Sequence, residues 1–179
     1  MREPTIARNY AEALFAAGER AGTTDRYADL LEAVAGAIEA EAQIRHVLES
    51  PRVPKTQKQH ILAQALKGYA PEQFINFLGA VVKRGRQGIL PAIARQYLGL
   101  VDRKYNRVHA GVTVAREPDA ALQEIVRRRL SANLGMTVIP HFRTDPAILG
   151  GLIVRVGDRI MDGSVRRRMA SLRRKLIGA

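Results

Sequence analysis

Four histidines, a few serines and one pair of nearby aspartates are the residues here whose chemistry could make an enzyme. His46, His60, His109 and His141 show no HExxH pattern or other ligand spacing. With no cysteine in the chain, zinc–thiolate sites, disulfides and thiol catalysis are removed together. Ser50, Ser131, Ser164 and Ser171 occupy no nucleophile elbow. Asp158 and Asp162 have the types for acid–base work. Asp158 is explained more simply as a hairpin-turn residue, and Asp162 as part of a helix-capping region. Gly150-Gly151 precedes an extended apolar run rather than a helix, so it lacks the context of a phosphate cradle and reads as a tight turn. The expectation is therefore no catalytic residue, no cofactor site and no metal site.

The elements that carry these residues fall into two kinds. Over the first hundred residues the apolar positions recur at helical spacing. Ile6, Tyr10 and Leu14, with Ala7, Ala11 and Phe15 beside them, predict a first helix to about Arg20. Gly22 stops it, and Thr23-Thr24-Asp25 reads as the next cap. Tyr27, Leu30, Leu31, Val34 and Ile38 make a long second helix. Ile44, Val47 and Leu48 make a short third, stopped at Ser50-Pro51 because proline disfavours helical geometry in the preceding residue. A fourth carries Ile61, Leu62, Ala65 and Leu66. Pro71 suits the first turn of a fifth, which is apolar over a wide arc through Phe74, Ile75, Phe77, Leu78, Val81 and Val82. The sixth begins near Gln87 and carries Ile89, Leu90, Ile93, Tyr97, Val101 and Tyr105.

Near Asn106 the period falls from about four to two. Val108, Ala110, Val112 and Val114 alternate with smaller or polar residues as a strand. Asp119 caps a helix ending at Gly135. Thr137 to Arg143 is extended, with Pro140 marking an edge or a bulge. Leu152–Val156 and Arg159–Met161 flank a hairpin turn at Gly157-Asp158. A last helix starts after Asp162-Gly163-Ser164, with Ser164 as its cap. The predicted fold is α+β overall: an N-terminal six-helix bundle (1–105), then a small α+β domain (106–179). About 70 residues is marginal for a domain alone, so the second part is expected to lean on a partner.

Charge supports the same division. The net charge is +12; residues 1–105 hold 15 Lys/Arg against 11 Asp/Glu, whereas 106–179 hold 14 against 6. Such a balance suits nucleic acid, an anionic membrane surface or an acidic protein partner. In the last helix Val165, Met169, Leu172 and Leu176 form an apolar row, expected to be buried against something. Most of the arginines lie off that row, and Arg173-Arg174-Lys175 complement the helix dipole in the last turn. Little aromatic interleaving is present for base stacking, so a docked helix is favoured over a nucleic-acid arm or a helix lying on a membrane. The N-terminal residues lack a long apolar core, and no run approaches the roughly 18 apolar residues that span a bilayer. A soluble, cytoplasmic protein is expected.

The terminal segment is similar to the C-terminal signature of the bacterial ATP synthase δ subunit family, whose mitochondrial counterpart is the oligomycin-sensitivity-conferring protein. Gly150-Gly151-Leu152-Ile153-Val154, Gly157-Asp158, Ile160-Met161-Asp162-Gly163-Ser164-Val165, Met169 and Leu172 carry it. Met169 stands where the family usually has Leu, a volume-conserving swap. Ala7-Arg8-Asn9-Tyr10-Ala11-Glu12-Ala13-Leu14-Phe15 resembles the family's opening YAxALF helix. The resemblance implies a non-catalytic stator subunit of a rotary, proton-translocating ATP synthase, resisting the torque of the central shaft. It implies partners too: the N-terminal helix of an α subunit and other catalytic-head subunits, and the C-terminal ends of the b subunits in the peripheral stalk. The membrane is met only through the complex, at the cytoplasmic face of the bacterial plasma membrane. A groove for the α-subunit helix between the first and fifth helices would be lined by Tyr10, Ala11, Leu14, Phe15, Phe74, Phe77, Leu78 and Val81. A basic nucleic-acid-binding protein is the alternative.

Overall fold

The computed structural model describes residues 3–178. By contact density the chain divides into two compact units, Met1–Val101 and Asp102–Ala179. Helices α1 (Glu3–Ala21), α2 (Thr24–Ala40), α3 (Ala42–Glu49), α4 (Lys55–Leu66), α5 (Glu72–Lys83) and α6 (Leu90–Lys104) follow one another in the N-terminal part. The core of the bundle collects the apolar faces that the periodicity marks: Ala7, Ala11 and Leu14 from α1, Tyr27, Leu31 and Ile38 from α2, Phe74, Leu78 and Val81 from α5, and Ile93 and Tyr97 from α6.

The two large buried phenols bring polar tips inside, and each tip is satisfied. Tyr97 donates to the Thr24 carbonyl at 3.0 Å and Tyr27 to Gln73 Oε1 at 3.1 Å. Lys58 is buried as well, and its ammonium donates to the Ser50 carbonyl at 2.8 Å, tying α4 to the end of α3. One predicted cap differs. Thr23 stands at the start of α2, but its side chain makes no capping hydrogen bond, and its buried hydroxyl finds no partner among the described residues. Its backbone is outside the extended geometry that aims a cap hydroxyl at the first turn (φ −114°, ψ 21°). Pro71 likewise lies one position before α5 rather than inside it, in extended geometry.

The second unit contains a four-stranded sheet in the order β2-β1-β3-β4, formed by β1 (Arg107–Val114), β2 (Thr137–Thr144), β3 (Leu152–Val156) and β4 (Arg159–Asp162). β1 and β2 run parallel, joined by α7 (Ala120–Leu134), whereas β3 is antiparallel to both β1 and β4. Helix α7 begins at Asp119, whose carboxylate accepts from the Leu122 N–H at 2.7 Å, and ends at Gly135 in left-handed geometry. Ala110, Val112, Val114, Val138 and Val154 form one sheet face, packed beneath Val126, Leu130 and Leu134 of α7. Pro140 lies on β2, an edge strand, the place in a sheet where proline is tolerated. Helix α8 (Val165–Ile177) follows β4.

Candidate partner-binding surfaces

The eight groove residues read from the sequence separate by burial. Ala11, Leu14, Phe74, Leu78 and Val81 are buried among the core residues of the bundle. Tyr10, Phe15 and Phe77 are half-buried at the edge of that core. Tyr10 and Phe77 meet edge-to-face with ring centroids 6.1 Å apart, and Arg86 donates to the Tyr10 hydroxyl at 3.2 Å. Phe15 is turned elsewhere, its ring against Tyr97 at 5.8 Å. What reaches the surface here is the Tyr10–Phe77 aromatic pair flanked by the Arg86 guanidinium, while Ala11, Leu14, Phe74, Leu78 and Val81 lie in the core. Periodicity marks all eight alike because it reports the apolar face and not its depth.

A further apolar surface lies between α3 and α4. Ile44, Val47 and Ile61, exposed, and Leu62, half-buried, border a hollow of about 290 Å³ whose floor is the buried Leu48. The sequence marks these residues only as helix positions. They belong to helices of 8 and 12 residues, and Ile44, Val47 and Ile61 are exposed there.

In the second unit the signature residues form a clamp at the root of α8. The Gly163 N–H donates to the Leu152 carbonyl and the Val165 N–H to the Gly150 carbonyl, both at 3.0 Å. Gly151 has φ +74°, and a Cβ there would lie 2.4 Å from the Gly163 carbonyl oxygen. Two backbone segments therefore touch where no side chain fits. Gly157, at φ +56°, is the first turn residue of the β3–β4 hairpin, Asp158 the second. Ser164 is fully buried and caps α8: its hydroxyl oxygen accepts from the Arg167 N–H at 3.2 Å, while its own N–H donates to Asp162 Oδ1 at 2.9 Å.

The Asp162 carboxyl is held below the ordinary carboxylate range, first by hydrogen bonds from Ser164 and then by the charges of Arg167 and Arg166. A depressed folded-state value gives stability that is complete above the unfolded value and is lost as pH falls through the folded one. Asp162→Asn is accordingly expected to lower stability at neutral pH. The gap from the parent should close in acid, which urea unfolding in a descending pH series would measure. An equal gap at every pH would assign the loss to shape alone.

Beyond the clamp, α8 departs from expectation. Its spacing predicts a covered apolar row, yet Val165, Met169, Leu172 and Leu176 are 37%, 58%, 58% and 81% exposed. The first turn packs beside the short 3₁₀ turn Pro146–Ile148, with Val165 against Gly150. The rest of the row meets no cover from the described residues of its own unit. Leu149, Ile160 and Met161 add to the exposed apolar surface of this unit.

The open face of the sheet carries one polar cluster that no spacing rule signals. The parallel register of β1 and β2 sets His109 Nδ1 2.7 Å from His141 Nε2, with the rings stacked, and His109 Nε2 lies 3.3 Å from Asp102 Oδ2. The ring nitrogens face each other as hydrogen-bond partners, which requires one donor and one acceptor. Among the described residues no group of three His, Cys, Asp or Glu is arranged to hold a metal.

Comparison with known proteins gives a consistent result. Residues 6–176 match the family model described as the ATP synthase delta (OSCP) subunit. A protein of Gemmatimonas aurantiaca named ATP synthase subunit delta is 45% identical over 174 residues, spanning 97% of this chain and 94% of its own. The protein of that name from Desulforamulus reducens is 30% identical over 99% of this chain and 98% of its own. Among solved structures, a chain of the Toxoplasma gondii mitochondrial ATP synthase hexamer has the same fold. Its TM-score is 0.69 at 22% identity, over 96% of this chain and 97% of that one.

Proposed function

The chain belongs to the ATP synthase delta (OSCP) subunit family, and from that premise we propose that it is a non-catalytic stator subunit of a rotary ATP synthase. Its work is mechanical. A rotating shaft drags the catalytic head with it unless a static linkage opposes the torque, so such a subunit needs two durable contacts and no reaction chemistry. The bundle holds the N-terminal helix of an α subunit at the head, and the α+β unit takes the ends of the b subunits in the peripheral stalk. The observation that carries the reading is α8: an apolar row left exposed on a helix whose root is fixed by a backbone clamp and a buried cap. A preorganised apolar face of this kind lowers the ordering cost of binding.

On the bundle, the reading assigns the α-subunit helix to the Tyr10–Phe77 surface, with Arg86 at its side and Phe15 farther along α1. Helix-in-groove recognition uses apolar anchors at helical spacing, and aromatic anchors dominate such energetics. Among the described residues no helix is long and apolar enough to cross a membrane. Association with the cytoplasmic face of a bacterial plasma membrane would then come through the complex.

Titration of the full chain with the N-terminal peptide of the α subunit from the same organism tests the bundle assignment. Binding with a gain of helicity is expected, and Phe77→Ser should weaken it about tenfold or more. Phe77 also packs on the edge of the core against Tyr10, so a melting curve is run beside the titration to show that the variant stays folded at the temperature of binding. A peptide that neither binds nor gains helicity would remove the assignment.

A further inference from the structure

The row on α8 has the spacing of a coiled-coil seam. Val165, Met169, Leu172 and Leu176 are separated by four, three and four residues, the d, a, d, a positions of a heptad. The four positions flanking that seam, e and g in the same register, are Arg166, Arg168, Arg173 and Lys175. All four are basic, α8 contains no acidic residue, and none of the four comes within ion-pair distance of a carboxylate of the described residues, although the charge of Arg166 is felt by Asp162. The ion pair that the helix makes among the described residues, Arg167 with Asp162 at 4.0 Å, is at an outer position away from the seam.

Flanking charges decide which helix can share such a seam. A second copy of α8 would set like charges against each other on both flanks, which penalises self-pairing. An anionic bilayer is matched by a broad apolar face with aromatic residues at the interface. Here the apolar arc is a narrow a/d stripe, bordered on both sides by charge, and no aromatic residue occurs between 165 and 177. A nucleic-acid strand would use the cations and leave Met169, Leu172 and Leu176 uncovered.

We propose that the occupant of α8 is a partner helix with apolar a and d positions and Glu or Asp at its e and g positions, paired with α8 as a short coiled coil. The proposal rests on the reading of the α+β unit as the stalk-binding part, and gives that contact its chemistry. Apolar burial supplies the affinity. The charge flanks set partner choice, orientation and encounter rate.

The test titrates the full chain with two designed three-heptad peptides, alike in Leu and Ile at a and d, one with Glu and one with Lys at every e and g position. The Glu peptide is expected to bind about 10- to 100-fold more tightly at low salt, a margin that narrows as salt rises. The R166E/R168E/R173E/K175E variant should invert the preference, and M169E/L172E should abolish it. Equal binding of the two peptides, or an unchanged preference after charge reversal, overturns the proposal. So would α8-dependent binding to phosphatidylglycerol vesicles or duplex DNA when neither peptide binds, or an α8-dependent dimer in sedimentation. The C-terminal segment of the b protein from the same organism separates the two levels. If it binds the parent and charge-reversed chains equally, the charge code fails and the stator reading stands. If the Glu peptide binds as expected and the b segment does not bind at all, the stator reading fails and the charge code stands.

Discussion

Gly151→Ala is expected to destabilise the α+β unit by about 3 kcal/mol or more, combining a left-handed backbone penalty with overpacking against a carbonyl. The added Cβ would lie 2.4 Å from the Gly163 oxygen, so β3 and the segment leading into α8 must separate. Both clamp bonds, from Gly163 to Leu152 and from Val165 to Gly150, then open or lengthen. A unit of roughly 78 residues has only a few kcal/mol in reserve beyond such a loss. Urea unfolding of the full chain, with amide exchange followed in β3 and α8, measures it. Gly157→Ala is the control, because a Cβ there meets nothing within 4 Å and carries the backbone penalty alone, about 1–2 kcal/mol. Equal effects at the two glycines would sink the clamp as the reason for Gly151.

The paired substitution Met169→Glu and Leu172→Glu is expected to weaken binding of the stalk's b segment by about 100-fold or more, while thermal unfolding of the chain barely moves. Each side chain lost from an apolar contact forfeits about 1.5–3 kcal/mol, and a carboxylate placed there must also be desolvated. In the free chain both residues are more than half exposed, so nothing of the fold depends on them. Calorimetric titration against the stalk segment, beside a melting curve, separates the two effects. A large fall in melting temperature would mean that α8 is covered in solution by its own chain. Unchanged binding would move the stalk contact elsewhere, with the exposed Ile160, Met161 and Leu149 as the next surface to substitute.

Local signals in the sequence were reliable where the governing interaction is local. Asp119 and Ser164 cap the helices that follow them because a side-chain oxygen three residues from an orphan N–H has only one short reach to make. Gly157-Asp158 turns the hairpin because the strand twist there wants positive φ. Thr23 failed as a cap under the same rule, since its backbone geometry does not aim the hydroxyl at the first turn of α2. The parallel pairing of β1 with β2 left no trace in either strand, and with it the His109–His141 contact stayed hidden. Strand direction in a sheet is set by the crossover, not by residues within the strands.

By itself, then, the sequence determined the element types, their order, the change of period near residue 106, the caps of α7 and α8 and the family signature. Tertiary structure alone decided that Tyr10, Phe15 and Phe77 reach the surface while Ala11, Leu14, Phe74, Leu78 and Val81 do not. It also decided that Gly151 is pressed against another backbone, and that the apolar row of α8 stands uncovered. The reason is the same in each case. Periodicity records which face of an element is apolar, but burial and close approach belong to pairs of elements, and the second member of a pair is set by the tertiary arrangement rather than by local spacing.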